Sequence, residues 1–125
     1  MLKSVGSPRT GEPETLFIPV SDEAILNELI ARSYDEPVVI FKHSVTCPIS
    51  AAAYEEMLQL GREVALIVVQ SARDVSRQIE ARTGVRHETP QTIILRKGQA
   101  VWSASHWDVT ADRVADALRL GEEER

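Results

Sequence analysis

The chain has 125 residues, 43% of them hydrophobic, which is enough for one domain with a single buried core. Fourteen basic against nineteen acidic residues give a formal charge of -5, which disfavours nucleic acid or an anionic membrane as the main partner. One cysteine, Cys47, cannot form an intramolecular disulfide, and no apolar run reaches the length of a membrane span or signal peptide, so the expected location is the cytoplasm.

Residues 1–15, with Gly6, Pro8, Gly11 and Pro13 and no apolar periodicity, read as a loose leader. Leu16 to Val20 is a short strand. Ser21 is placed to cap a first helix over 22–33, with Val20 and Ile25 as the staple pair and Leu26, Leu29 and Ile30 at helical spacing. Pro37-Val38-Val39-Ile40-Phe41 is the continuous β-branched and aromatic run of a strand covered on both faces. Lys42 to Thr46 then reads as a polar loop. Pro48 starts a second helix carrying Ile49, Ala53, Met57 and Leu58, with Gly61 beyond its end, and Val64 to Val69 is a further buried strand. A third helix spans about 73–83 and ends at Gly84. Gln91 to Arg96, the turn Lys97-Gly98, and Gln99 to Trp102 form a β-hairpin. Thr110, with Val109 and Val114 as its staple, opens a last helix to about 120, and Gly121 to Arg125 is an acidic tail.

The predicted order is β-α-β-α-β-α-β-β-α, an α/β three-layer sandwich with a mixed central sheet, and residues 16–120 make one domain. In such a sheet, reactive groups gather beyond the carboxyl ends of the parallel strands, where helices begin. Cys47 falls there, one residue before the proline that starts a helix, and the helix's free amides and dipole favour a thiolate. A lone cysteine is often a small core hydrophobe. The polar flank Lys42, His43, Ser44 and Thr46 favours a reactive thiol instead. Ser50, three residues on, stands where a dithiol enzyme carries its second cysteine; it can donate a hydrogen bond to the thiolate but cannot attack a mixed disulfide. Thr89-Pro90 precedes the hairpin, and a cis bond there would offer the Thr89 backbone to an extended substrate.

A strand, Cys-Pro-x-Ser at a helix start, Thr-Pro before a hairpin and a closing helix resemble the thioredoxin superfamily over residues 16–120, in which the proline opposite the cysteine is cis. More narrowly, Thr46-Cys47-Pro48-Ile49-Ser50 after Lys42-His43-Ser44, with Thr89-Pro90-Gln91 and Ser105-His106-Trp107, resembles the monothiol bacilliredoxins. That resemblance implies a monothiol disulfide oxidoreductase that takes bacillithiol from S-bacillithiolated proteins onto Cys47. It implies bacillithiol as co-substrate, no bound cofactor, and a partner reductase or a second bacillithiol to recycle the thiol. Thr46, Pro48, Thr89 and Pro90 would hold substrate, and Ser50 would assist the thiolate. Because bacillithiol carries carboxylates, Lys42, His43, His106 or the amides opening the helix at Thr110 are candidates to line its pocket.

Two other functions compete. An iron–sulfur carrier of monothiol glutaredoxin type would bridge a cluster between two subunits, although Pro48 replaces the glycine of that motif. A non-catalytic redox sensor would have Cys47 capped by small thiols under stress. His43, His87 and His106 lie on three separate segments without a close pair, against a structural zinc site.

Overall fold

The computed structural model describes residues 14–123. Most of the expected leader therefore lies outside the described residues, as do the last two residues of the expected tail. The elements are β1 (Leu16–Pro19), α1 (Glu23–Arg32), β2 (Val38–His43), α2 (Pro48–Leu58), β3 (Glu63–Val68), α3 (Arg73–Thr83), β4 (Gln91–Arg96), β5 (Gln99–Ser105), a short 3-10 turn (His106–Asp108) and α4 (Ala111–Glu123). This is the order expected from the sequence.

The five strands form one sheet in the order β1-β3-β2-β4-β5. β1, β3 and β2 are parallel, and β4 and β5 join antiparallel as the hairpin. β3, β2 and β4 are the inner strands, and β2 and β4 are buried along nearly their whole length because both of their faces are covered. Alternation along β2 sends Val38 and Ile40 to one layer, with Leu26 and Leu29 of α1 and Val75 and Ile79 of α3. It sends Val39 and Phe41 to the other, with Ala53 and Met57 of α2 and Val114 and Leu118 of α4. Two separate cores thus clamp the sheet from opposite sides. Pro19 ends the edge strand, where its missing donor costs no ladder bond.

The hairpin turn has Lys97 at φ 54° and Gly98 at φ 78°, the paired left-handed conformations of a two-residue turn matched to strand twist. Ser33 holds this turn from α1's end, accepting from the Lys97 and Gly98 amides through its carbonyl and hydroxyl at 2.8 and 2.9 Å.

Five sequence expectations are corrected. Asp22, not Ser21, caps α1, because its carboxylate reaches the Ile25 amide at 3.0 Å. Lys42 and His43 continue β2 instead of leaving it, since their backbones still pair with Ile67 and Val68 of β3. β5 runs three residues past Trp102 to Ser105. Gly121 is neither a turn nor a tail residue: α4 runs on to Glu123, and the missing side chain admits the Arg96 guanidinium, which donates to the Leu118 carbonyl at 3.1 Å. Thr15 belongs to the fold, its hydroxyl donating to the Met57 carbonyl at 2.7 Å and accepting from the Gly61 amide at 2.8 Å.

Candidate active site around Cys47

β2 ends at His43, and the chain turns through Ser44, Val45 and Thr46 into α2, which begins at Pro48. Cys47 is the N-cap residue of α2, with extended backbone (φ -106°, ψ 123°), and its carbonyl accepts the first helical bond from Ala51 at 3.0 Å. Pro48 suits the first helical position because its fixed φ matches the helix and its missing N–H would be unpaired there anyway. No side chain caps α2, and its first turn carries no acidic residue. The positive end of the helix dipole therefore lies at the half-exposed Cys47, with no acidic residue in the first turn to offset it.

The loop before the cysteine is pinned from two directions. From below, the fully buried Ser50 hydroxyl accepts from the Ser44 amide at 2.9 Å and lies 2.8 Å from His43 Nδ1. From the side, Gln70 at the end of β3 donates to the Ser44 hydroxyl at 2.8 Å and to the Thr46 hydroxyl at 3.3 Å, and accepts from the Val45 amide at 3.3 Å. Gln70 was not anticipated from the sequence. The available signal was its place just past a parallel strand's carboxyl end, the level at which Cys47 stands.

The hydrogen bonds of Ser50 differ from the expected thiolate contact. Burial lowers the His43 pKa, and a backbone hydrogen bond at Ser50 opposes that shift. The Ser50 hydroxyl is thus held by His43 Nδ1 and the Ser44 amide, and no hydrogen bond joins Ser50 to Cys47 among the described residues. Ser50 shapes the loop instead. The Ser50→Ala variant leaves the Ser44 amide and His43 Nδ1 without partners and is expected to lose about 1 kcal/mol of stability, read as a lower urea midpoint. An unchanged midpoint would show that this buried hydroxyl holds nothing.

Lys42 is likewise corrected. It is fully buried and points to the layer of α3, where its ammonium donates to His87 Nδ1 at 2.9 Å. Burial lowers its pKa to about 8, although Glu80 and Glu88 pull it upward. The His87 pKa is also lowered, by burial first and by the Lys42 charge second. An ammonium so enclosed is not presented to a ligand at the surface. The amides opening α4 are engaged as well: Glu56 of α2 accepts from Ala111 at 2.9 Å and the Thr110 hydroxyl accepts from Arg113 at 3.2 Å.

Thr89-Pro90 is cis. Lys42 pairs with Gln91 across β2 and β4, so the proline lies level with His43, where the cysteine loop departs. The Pro90 carbonyl accepts from the His106 amide at 2.9 Å, tying this turn to the segment after β5. His106 (φ 58°) and Trp107 are exposed, Trp107 by 68%. Thr46 and Pro48 are exposed and Thr89 is half-buried. Loop, cis turn and 3-10 turn thus come together at one end of the sheet, while Lys42 lies beneath it. No three His, Cys, Asp or Glu side chains gather to hold a metal, and no helix is long and apolar enough to cross a membrane, among the described residues.

The sequence profile of the family described as "Monothiol bacilliredoxin BrxC" matches residues 18–114. A solved structure described as a candidate oxidoreductase with a thioredoxin fold is 32% identical, with a TM-score of 0.74 over 81% of this chain and 92% of that one. Thioredoxin from Trypanosoma brucei brucei superposes with a TM-score of 0.71 over 94% of this chain and 98% of that chain at 14% identity, a likeness of fold alone. Thioredoxin from Malassezia sympodialis gives 0.64 over 90% and 96% at 12% identity.

Proposed function

The chain belongs to the monothiol bacilliredoxin family and has a thiol redox role; from that membership we propose that it removes bacillithiol from S-bacillithiolated proteins of the cytoplasm through its single thiol. The observation that carries the proposal is Cys47 itself, a half-exposed sulfur at an uncapped helix start, with serine where a second thiol would stand.

The Cys47 thiolate attacks the bacillithiol sulfur of the client's mixed disulfide. The client–bacillithiol S–S bond breaks, a Cys47–bacillithiol S–S bond forms, and the client sulfur leaves as a thiolate that takes a proton from water. A second bacillithiol thiolate, or a thiolate of a partner reductase, then attacks the bacillithiol sulfur on Cys47. The products are a disulfide of bacillithiol with the attacking thiol and free Cys47. Ser50 cannot enter either exchange as a nucleophile, so the mixed disulfide persists until an outside thiol arrives. Thr89, set by the cis bond to Pro90, offers backbone to the client segment carrying the disulfide, and Trp107 and Pro48 provide an apolar rim.

The test is intact-mass spectrometry of a bacillithiolated client mixed with the reduced protein. The client is expected to lose one bacillithiol while this chain gains one on Cys47. A client that keeps its adduct while the chain stays unmodified would overturn the proposal.

A further inference from the structure

Lys42, His43 and the Ala111 and Arg113 amides of α4 are engaged within the fold, and of the expected carboxylate receivers His106 alone is exposed. A cleft lies beside the cysteine loop. It has a volume of about 280 Å³ and is lined by Gln70, Arg73, Ser76, Arg77, Glu80 and His87. Positions 73, 76, 77 and 80 follow the i, i+3, i+4, i+7 spacing, so one face of α3 supplies a wall carrying two guanidinium groups.

Three features separate this cleft from an ordinary basic surface. Ser76 is only 5% exposed, and its hydroxyl has no hydrogen-bond partner although it lines the cleft. A buried hydroxyl without a partner is costly, and a ligand oxygen in the cleft would satisfy it. α3 has no side-chain cap, so its opening amides point the positive end of the helix toward the Arg73 end. Gln70, which lines the cleft, is also the residue whose amide holds Ser44, Val45 and Thr46, so the cleft meets the loop one residue before Cys47.

Resting on the bacillithiol reading above, we infer that this α3 cleft is the subsite for the carboxylate-bearing body of the small thiol, whose sulfur is held at Cys47. Arg73 and Arg77 pair with the carboxylates and Ser76 donates to a ligand oxygen. Arg77 now bonds Asp74 on the exposed rim and exchanges that weak surface partner for the ligand. Glu80, whose carboxylate accepts from the His87 amide at 3.2 Å, closes the opposite end with negative charge. A dianionic body is thereby oriented with its charge toward Arg73.

The experiment uses the full chain and one client peptide carrying either bacillithiol or uncharged 2-mercaptoethanol in mixed disulfide. Arg73→Ala/Arg77→Ala is expected to raise KM for the bacillithiol adduct about tenfold, with kcat and the rate on the uncharged adduct held within about twofold. Ser76→Ala is expected to raise the same KM about threefold. Activity on the uncharged adduct serves as the folding control. Unchanged KM, or equal losses on both adducts, would overturn the subsite and leave the disulfide reading standing. A wild-type protein active on the uncharged adduct but inert toward the bacillithiol adduct would overturn both.

Discussion

Cys47→Ser is expected to slow removal of bacillithiol from a client by about a thousandfold or more, because a serine hydroxyl is scarcely ionised at neutral pH and forms no disulfide. The substitution separates chemistry from folding. Serine is a preferred N-cap residue, able to accept from an amide in the first turn of α2 that no side chain now caps. Its stability should therefore equal or exceed that of the wild type by up to about 1 kcal/mol. Stopped-flow or discontinuous mass measurement of client release gives the rate, and urea unfolding gives the stability. A variant that still releases bacillithiol at a rate near the wild type would mean that the exchange does not pass through this sulfur.

Lys42→Met is expected to stabilise the protein by about 2 kcal/mol at pH 7, the largest stability change predicted for this chain. The ammonium is fully buried on the sheet face under α3, and its lowered pKa, about 8 against the ordinary 10.5 of a lysine, records the cost of that burial. The full shift would correspond to about 3 kcal/mol, and solvent screening reduces it. The sign follows from the direction. Below pH 8 the lysine is charged in both folded and unfolded chains, and the penalty is present in full. Between pH 8 and 10.5 the folded chain releases its proton while the unfolded chain keeps it, so wild-type stability rises with pH. Methionine has no charge to bury and a stem of similar length that suits the apolar layer of Val75 and Ile79. His87 Nδ1 loses a donor, but the residue is exposed and water replaces it. Denaturation at pH 7 and pH 10.5 should show the variant ahead at the lower value and level at the higher. A variant less stable than the wild type at pH 7 would mean that attraction to Glu80 and Glu88 outweighs desolvation.

Such a buried lysine shows where sequence reading and structure part. The element order, the two-residue hairpin turn at Lys97-Gly98 and the helix starting at Pro48 were legible because each rests on neighbours in the chain: apolar period, φ preference, a missing N–H. Lys42 reads as loop in the sequence because its polarity breaks the apolar run of β2. Whether a lysine ends a strand or is swallowed by it depends on a sheet partner and on carboxylates from distant segments, and no local pattern carries that. Ser50 erred in the same direction. Its spacing from Cys47 suggests a contact with the sulfur, whereas a strand-end histidine and the Ser44 amide that folding brings alongside take its hydrogen bonds.

The sequence by itself determined the layer architecture, the identity of the one thiol and its seat at a helix start, since these follow from periodicity, from counting cysteines and from proline's fixed φ. Only the tertiary structure decided which polar groups remain open to a ligand. Hydrogen-bond partners are assigned by packing, so Lys42, Ser50 and the first amides of α4 are engaged inside the fold, while Ser76 on α3, unremarkable in the chain, is left without a partner beside the cysteine loop.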